Sequence, residues 1–173
     1  MRTYAIDGVV SRRFPIYCDV RGRFSEIYRQ SNFPNFTPLQ DNYSYSQKGV
    51  LRGFHYVAGD GQNQILSILN GKIIDFILDL RTSSDTFLCY LENTMSHDGI
   101  NQIYIPHYCA HGFLAMTDNV ILQYKTDAYY GEKTDETIQF LDPKIGIKLD
   151  YSENFVRSEK DINAKLVDEH SFF

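Results

Sequence analysis

The stretch "QILSILNGKIIDFILDL", residues 64–80, contains two apolar runs separated by an Asn-Gly pair. Within residues 72–80, two sets of side chains alternate, namely Ile74, Phe76, Leu78 and Leu80 with Ile73, Asp75, Ile77 and Asp79. Successive side chains of a β-strand point to opposite faces, so this period of two predicts a strand. The Asn-Gly pair at 70–71 is typical of a turn, and residues 64–69 are predicted to form the preceding strand.

Further short segments of the same character follow, separated by turn residues. They are 86–92 ("TFLCYLE"), 101–105 ("NQIYI"), 119–125 ("NVILQYK") and 137–141 ("TIQFL"), with turns at 97–99 ("HDG") and 117–119 ("TDN"). Many short strands at this spacing predict an all-β sandwich or barrel. Helix signals occur only near the ends, at 24–32 and at 158–168, where Ser158 suits the N-cap and Asp161 the third helical position.

The composition fits one globular domain of 173 residues, with 43% apolar residues, 23% charged residues and a net charge of -5. The 13 tyrosines and 12 phenylalanines suit strands and polar-lined pockets better than a helical bundle. The negative charge argues against nucleic acid or an anionic membrane as a partner. A small anionic substrate stays open, because a local arginine cluster can bind phosphate within an acidic protein.

Cysteine usage and the N-terminus indicate the compartment. Cys18, Cys89 and Cys109 fit neither a disulfide framework nor a close-spaced zinc site, which favours reduced thiols. The N-terminus has no apolar signal-peptide core, and there is no run of about 18 apolar residues. A cytoplasmic protein without a membrane span is therefore expected.

The segment "GVLRGFHY", residues 49–56, places Arg52 and His55 in an otherwise apolar run. Residues three apart face opposite sides of a regular strand, so the two side chains would not share a pocket. A bulge at Gly53 would bring them to one face; without it, Arg52 is a surface residue. Of the other histidines, His111 also lies beside a glycine in a strand-like segment, whereas His97 and His170 lie in a turn and a polar tail.

The spacing around these histidines resembles the two cupin motifs, which implies a cupin-type jelly-roll β-barrel. The matching residues are Gly49, His55, Gln64 and Gly71 in the first motif and Pro106, Tyr108 and His111 in the second. Cupins usually hold a metal with three histidines and a glutamate. Here Val57 and Gln64 occupy two of those places, and neither is a good ligand for a first-row metal. The expectation is a barrel without a bound metal.

Most of the chain also resembles one metal-free cupin family, the dTDP-4-dehydrorhamnose 3,5-epimerases. The matching runs, in order, are "DVRGRFSEIY" (19–28), "QDNYSYSQKGVLRGFHY" (40–56), "IPHYCAHGFL" (105–114), "YKTDAYY" (124–130), "FLDPKIGI" (140–147) and "SEKD" (158–161). The resemblance implies one epimerase domain over 1–173, with an N-terminal part (1–48) that includes a dimer arm, a barrel core (49–142) and a C-terminal segment (143–173). It also implies a nucleotide-diphosphate-linked 4-keto-6-deoxy sugar as substrate, and no cofactor.

The resemblance assigns three catalytic roles. His55 would be the base that removes a proton next to the ketone, and Tyr124 the acid that returns one from the other face. Asp161 would hold the other nitrogen of His55 and stabilise the imidazolium. The residues alone leave alternatives open, because Asp161 also suits helix capping and Tyr124 is in phase with Val120 and Leu122 as a core aromatic.

The remaining matches concern binding. Arg52 would contact the diphosphate, since a guanidinium suits phosphate oxygens. The resemblance places His111 close to the reacting sugar, Tyr130 on the base, and the arm residues at the nucleotide, across a dimer interface. The binding candidates are Arg21, Phe24, Glu26, Gln40, Asp41, Asn42, Arg52, Gln64, His111, Tyr130, Asp135 or Glu136, and Lys160. Any one of these, taken singly, can equally be a solvated polar residue.

This sequence departs from the family pattern at several places. Gln64 stands where the family has a lysine that carries charge toward the keto group, and Ser67 stands for an arginine. Val57 and Tyr108 also differ. The lost charge implies a changed substrate, with GDP in place of dTDP, a heptose in place of a hexose, or inversion at C3 only.

Other functions remain open on the sequence. A related ketoisomerase would carry its histidines close together, but Tyr56 and Val57 follow His55 here. A cupin that binds sugar nucleotides without turnover is a second alternative, and a metal-dependent oxygenase is a third. The family resemblance also implies a homodimer formed through residues 14–28, and a pathway that makes lipopolysaccharide or capsule sugars in the cytoplasm.

Overall fold

In the computed structural model, the described residues are 5–131, 134–149 and 155–173. The strands, in chain order, are β1 (Val10–Arg12), β2 (Tyr17–Asp19), β3 (Gly22–Phe24), β4 (Gln40–Ser46), β5 (Leu51–Val57), β6 (Gln64–Asn70), β7 (Lys72–Asp79), β8 (Tyr90–Ser96), β9 (Gln102–Ile105), β10 (Cys109–Ala115), β11 (Val120–Thr126) and β12 (Asp135–Thr137). The helical elements are the α-helix α1 (Glu159–Ile162) and the 3-10 turns Gln30–Asn32 and Val167–Glu169. Within the described residues, none of the helices has the length and apolar character needed to cross a bilayer.

The strands form two five-stranded antiparallel sheets and one small hairpin. Sheet I has the order β1-β9-β6-β11-β4, and sheet II has the order β12-β5-β10-β7-β8. The hairpin consists of β2 and β3. Most neighbouring strands are distant in the chain, so connections pass from one sheet to the other, as in a jelly roll. The predicted all-β sandwich is confirmed.

The sheets pack face to face around an apolar core. Leu66 and Leu122 of sheet I are completely buried in the same cluster as Ile77 of sheet II. A second core covers the outer face of sheet II, where the rings of Phe54 and Phe140 stack with centroids 4.6 Å apart. Sheet II is therefore buried on both faces, and its inner face can hold polar groups away from water.

Strand β7 lies inside sheet II and accounts for the alternation in its sequence. Ile73 and Ile77 face the inner core, whereas Ile74 and Phe76 face the outer core. Both faces are buried, so the strand needs apolar side chains in both phases. Asp75 shares the inner phase and is completely buried, which requires a partner for its carboxylate.

The predicted strand at 86–92 begins only at Tyr90. The hydroxyls of Ser84 and Thr86 donate to Oδ2 of the buried Asp79, at 3.0 and 2.6 Å. Leu88 has a φ of 58°. These contacts turn the chain before the strand starts, since serine and threonine hydroxyls compete with the strand ladder.

The predicted strand at 137–141 and the predicted helix at 158–168 both end earlier than expected, because Ile138 pairs with Lys165. The backbone N–H of Gln139 donates to the Lys165 carbonyl at 2.8 Å. The predicted strand at 137–141 therefore leaves its ladder after Thr137. The predicted helix at 158–168 stops at Ile162, because the chain must be extended where it meets Ile138.

The predicted helix at 24–32 is wrong, apart from one 3-10 turn at Gln30–Asn32. Gln102, on sheet I, donates from Nε2 to the Ile27 carbonyl at 2.6 Å. That carbonyl is therefore bonded to the sheet instead of to a helical turn. Residues 25–29 lie outside the regular elements, and Ile27 is attached to sheet I through this bond.

The outer core is testable through Phe140. Replacing Phe140 with alanine should lower the free energy of unfolding by about 3–5 kcal/mol, because it empties a stacked, fully buried site. Urea unfolding measures the loss. The neighbouring Leu141 is 45% exposed and serves as a control, and its alanine variant should lose less than about 1 kcal/mol. Equal losses in the two variants would contradict the burial of Phe140.

Candidate active site

A bulge in β5 brings Arg52 and His55 to one face of sheet II. His55 pairs with His111 of β10, but Arg52 pairs with Phe113, so two residues of β5 oppose one of β10. Gly53 has a φ of 105°, and a Cβ there would lie 2.6 Å from the Cα of Gly112. Only glycine fits this approach. The bulge expected at Gly53 is confirmed, and both side chains face sheet I.

His55 forms a short pair with Asp161 of α1. The distance between His55 Nε2 and Asp161 Oδ1 is 2.6 Å. The imidazole is 41% exposed, whereas the carboxylate is only 3% exposed. The pair therefore presents a histidine to solvent or ligand, held from behind by a buried acid.

The short helix α1 fixes Asp161 in two ways. Ser158 is the N-cap, and its Oγ accepts from the backbone N–H of Asp161 at 3.1 Å. Burial alone would raise the pKa of Asp161, but hydrogen bonds from His55 and Ser158 and the charges of His55 and Arg157 lower it overall. Asp161 is thus both a capped helical residue and an ionised partner of His55, so the two interpretations of its sequence hold together.

A second histidine–carboxylate pair lies deeper, on the same face of sheet II. His111 Nε2 is 2.5 Å from Oδ1 of Asp75, and both side chains are almost fully buried. Among the described residues, Oδ2 of Asp75 is one of the few buried side-chain oxygens without a hydrogen-bond partner. Asp75 was not among the predicted site residues, although the sequence shows that it alternates in phase with Ile73 and Ile77.

Tyr124 faces these histidines from the opposite sheet. It lies on β11, and its ring centroid is 6.4 Å from that of His111. Its hydroxyl is 2.9 Å from Oγ of Ser44, on the neighbouring strand β4. Burial raises the pKa of Tyr124 to about 12, against smaller opposing effects of the Ser44 hydrogen bond and the Arg52 charge. The phenol is therefore a neutral donor at physiological pH.

Arg52 lies between the two sheets. Its Nε donates to Oγ of Ser46 at 3.2 Å, and its NH2 group is 3.4 Å from the Tyr45 carbonyl. Ser46 shares one face of β4 with Ser44, whose hydroxyl contacts that of Tyr124, and the charge of Arg52 opposes the rise in the pKa of Tyr124. Arg52 is therefore a pocket residue and not a surface residue.

A group of amides lines one end of sheet I. Gln40 and Gln64 both stand opposite Thr126, from the two strands that flank β11. Gln40 donates to Oδ1 of Asn42 at 3.0 Å and accepts from the backbone N–H of Tyr130 at 2.8 Å. Gln64 donates to Gln62 in a weak bond of 3.4 Å. Asn42 stands directly opposite Tyr124, so these predicted binding residues share the inner face of the site.

Lys160 and Asp135 form an ion pair next to the His55–Asp161 pair. The Lys160 Nζ is 2.5 Å from Asp135 Oδ2. Lys160 is on α1, and Asp135 stands opposite Val57 on β5. The structure therefore brings both predicted binding residues to the edge of the site, where they bond to each other.

The three predicted binding residues of the N-terminal arm (residues 14–28) lie away from the histidine site. Arg21 pairs with Asp19 inside the β2–β3 hairpin, and Phe24 is 70% exposed. Glu26 pairs with Arg29 on the segment that follows. The hairpin contacts sheet I at the Leu69 carbonyl, through Arg23. Next to Glu26, the Ile27 carbonyl accepts from Gln102, which stands opposite Ser67 on the outer face of sheet I. This segment contacts sheet I from its outer side, whereas the histidines face its inner side. A single chain therefore does not bring Arg21, Phe24 and Glu26 to the histidines.

Ser67 also lies away from the site. It stands opposite Gln123 and Gln102, on the outer face of sheet I. It is buried there and accepts a 2.8 Å hydrogen bond from Gln102. Of the two charge-removing departures expected from the sequence, only Gln64 therefore changes the inner face of this chain.

The described residues do not include a metal-ligand set like that of metal-binding cupins. Within the part of the chain that the structure describes, no three His, Cys, Asp or Glu side chains converge to hold a metal ion. His55 and His111 each bond to a carboxylate instead. What the arrangement offers is two histidines, a phenol and an arginine around one space, which suits proton transfer on an anionic substrate.

Comparison with known proteins identifies relatives over nearly the whole chain. The family model for dTDP-4-dehydrorhamnose 3,5-epimerase matches residues 3–169. The enzyme of that name from Methanothermobacter thermautotrophicus is 34% identical, over 98% of this chain and 95% of the relative. The one from Salmonella typhimurium is 33% identical, over 95% of this chain and 93% of the relative.

Solved structures agree with this match. An epimerase from Legionella pneumophila in complex with dTDP-4-keto-L-rhamnose superposes with a TM-score of 0.89. It is 33% identical and covers 96% of this chain and 91% of its own. A 3'-monoepimerase from Streptomyces bikiniensis in complex with dTDP-quinovose has a TM-score of 0.88 and 28% identity, over 97% and 88% of the two chains.

The bulge can be tested by adding one methyl group. Gly53→Ala should lower the free energy of unfolding by about 2–5 kcal/mol, from the backbone conformation and from the collision with Gly112. Gly49 is the matched control, since it has a φ of 83° but open space around its Cβ position. Gly49→Ala should cost only about 1–2 kcal/mol in urea unfolding. If both variants lose equally, the close approach of β5 to β10 is wrong.

Proposed function

The chain belongs to the dTDP-4-dehydrorhamnose 3,5-epimerase family, and from this premise we propose that it inverts C3, C5 or both in a dTDP-linked 4-keto-6-deoxy sugar. It is an isomerase, and the part that goes beyond the family is the assignment of roles to its residues. The observation that carries the proposal is that His55 and Tyr124 lie on facing sheets, with His111 beside His55 on sheet II and 6.4 Å from the Tyr124 ring.

The chemistry depends on the ketone at C4. A C–H next to a ketone is acidic, because its electron pair delocalises onto the carbonyl oxygen as an enolate. The ring nitrogen of His55 that does not bond Asp161 takes the proton, and Asp161 stabilises the imidazolium. Tyr124 donates its proton to the same carbon from the other face, so the centre inverts. His55 and Tyr124 then return to their starting states by exchange with solvent, and no redox cofactor is consumed.

His111 and Asp75 suit the stabilisation of the enolate oxygen. With both ring nitrogens protonated, His111 donates from Nε2 to Asp75 and from its other nitrogen to the enolate oxygen, and the buried carboxylate already holds the ring in place. Gln64, where the family has lysine, can donate a hydrogen bond but adds no charge. The His111–Asp75 pair therefore carries more of this role in this chain than it would beside a lysine.

The substrate group follows from the relatives and from Arg52. The names of the solved relatives state that they bind dTDP-4-keto-L-rhamnose and dTDP-quinovose, which favours dTDP over GDP here. Arg52 suits the diphosphate, and Gln40 with Tyr130 suits the nucleoside end. A thermal-shift series with dTDP, GDP, UDP and CDP tests this choice, because the bound nucleotide raises Tm.

A homodimer would complete the site. The arm and the outer face of sheet I expose Tyr17, Val20, Phe24, Tyr43 and Tyr45. Exposed aromatic residues in one region favour an interface. If the arm crosses to the partner, Arg21, Phe24 and Glu26 reach the other chain's nucleotide.

Proton exchange in heavy water tests the chemistry. Incubation with dTDP-4-keto-6-deoxyglucose should place deuterium at C3, at C5 or at both, as read by NMR and mass spectrometry. His55→Asn should slow this exchange by roughly 10²–10⁴-fold, because the base is lost. Tyr124→Phe should reduce inversion more than exchange, because abstraction does not need the acid.

His97→Asn is the matched control for the histidine change, since His97 lies in a turn and its Nδ1 contacts the Gly71 carbonyl. It should exchange like the unmodified protein. Deuterium at C3 alone would identify a monoepimerase. Binding of the substrate with no exchange at either carbon would contradict the enzyme assignment and favour a binding protein.

Subunit mixing tests the completed site. Arg21→Ala and His55→Asn should each be inactive or nearly so as separate homodimers. When the two are unfolded and refolded together, half of the dimers are mixed and each has one intact site, so about a quarter of the full activity should return. No recovery, with mixed dimers shown by mass spectrometry, would mean that Arg21 does not serve the partner's site.

A further inference from the structure

Asp161 lies on a helix that is too short to be stable without contacts from the rest of the protein. The helix α1 has four residues, and isolated helices of that length are unstable in water. The position of the carboxylate therefore depends on side chains that bond to α1 from outside. Arg157 and Gln139 are the two residues that do so at its C-terminal end.

Both residues bond the last carbonyls of the helix. The NH2 group of Arg157 donates to the Asp161 carbonyl at 2.5 Å and to Oε1 of Gln139 at 2.6 Å. Nε2 of Gln139 donates to the Ile162 carbonyl at 3.0 Å. Carbonyls at a helix C-terminus have no partner within the helix, so this arrangement satisfies two of them.

The two residues are themselves attached to β5, the strand of His55. The backbone of Val156, next to Arg157, accepts from Leu51 and donates to Gly49, each at 3.0 Å. Gln139 directly follows Ile138, whose backbone exchanges two hydrogen bonds with Phe54 of β5, at 2.9 and 3.2 Å. Arg157 and Gln139, which we call the clamp, therefore connect α1 to the same strand that carries His55.

Arg157 is a costly residue for a purely structural role. Burial lowers the pKa of Arg157, and its Nε is buried without a hydrogen-bond partner in the described structure. An apolar residue would avoid that cost. What the guanidinium adds is a positive charge behind Asp161, and that charge helps to lower the pKa of the carboxylate.

We propose that Arg157, with Gln139, is a positioning residue for the base. It fixes Asp161 against His55, and its charge opposes protonation of the pair. This inference rests on the proposed epimerase function. The other charged or titratable groups around the pair are Arg52, Glu159, Lys160, Asp135, His111, Asp75 and Tyr124, and Lys160 is paired with Asp135.

Arg157→Met tests the role of the charge. It should lower kcat and the rate of deuterium exchange by roughly 10- to 100-fold while KM changes by less than about threefold, because substrate binding is untouched. The acidic limb of kcat/KM should move to higher pH, since a charge that opposes protonation of the pair is gone. Arg157→Lys keeps the charge and should hold the limb in place, with a smaller loss of kcat.

Two more variants keep the test decisive. Gln139→Met removes the second clamp residue without removing a charge, so it should lower kcat and leave the pH limb unchanged. Lys144→Gln is the control, since it breaks an exposed pair with Asp168 in the same C-terminal segment. It should change neither quantity. Each variant is first checked for a cooperative thermal transition.

The outcomes separate the inference from the function on which it rests. If the unmodified protein exchanges protons but Arg157→Met has the same kcat and the same pH limb, the positioning role is wrong. If Arg157→Met fails to fold, unchanged kinetics in Arg157→Lys and Gln139→Met together refute the clamp. If the unmodified protein itself shows no exchange, the proposed function fails instead.

Discussion

The site depends on one contact, the approach of Gly53 to the backbone of β10. Because a Cβ at this position would lie 2.6 Å from Gly112, only glycine permits the bulge. The bulge places two residues of β5 against one of β10, which turns Arg52 and His55 toward the same space. In a regular strand, one of the two would point into the outer core beside Phe54, where a charge is unfavourable. The backbone geometry at Gly53 thus explains how Arg52 and His55 share one pocket although they are three residues apart.

The fold supplies what a buried site needs at its other positions. Sheet II is covered on both faces, so its inner side can carry Asp75 and His111 in a region with little water. Each buried carboxylate of the site is bonded to a histidine, which offsets much of the cost of burying the charge. Sheet I contributes Tyr124, whose neutral phenol is stabilised by the same burial. Under the proposed function, the two sheets hold groups of opposite roles, a proton acceptor on one side and a proton donor on the other.

Much of this was accessible from the sequence, for reasons that particular residues illustrate. The alternation in β7 is strong because both faces are buried. Asp161 was assigned from the family resemblance of "SEKD", whereas its place after Ser158 by itself indicated helix capping. The strand β4 was missed because, in "QDNYSYS", the face that lines the site is polar and the tyrosines lie on the exposed face, so no apolar alternation marks a core strand. The phase of Asp75 in β7 was visible, but which phase faces inward and its pairing with His111 depend on how β7 packs and on the register of β10 against β7. Arg157 and Gln139 meet only after the chain has folded around β5, so no local pattern indicates their contact.

The central claim is that His55 and Tyr124 act on one sugar carbon from opposite faces. A crystal structure with a dTDP-linked 6-deoxyhexose that lacks the 4-keto group would test it directly, because such a ligand cannot react. The account predicts that C3 or C5 lies about 3–3.5 Å from a ring nitrogen of His55 on one face and from the Tyr124 hydroxyl on the other. A sugar ring that meets both side chains from the same face, or that binds away from them, would contradict it.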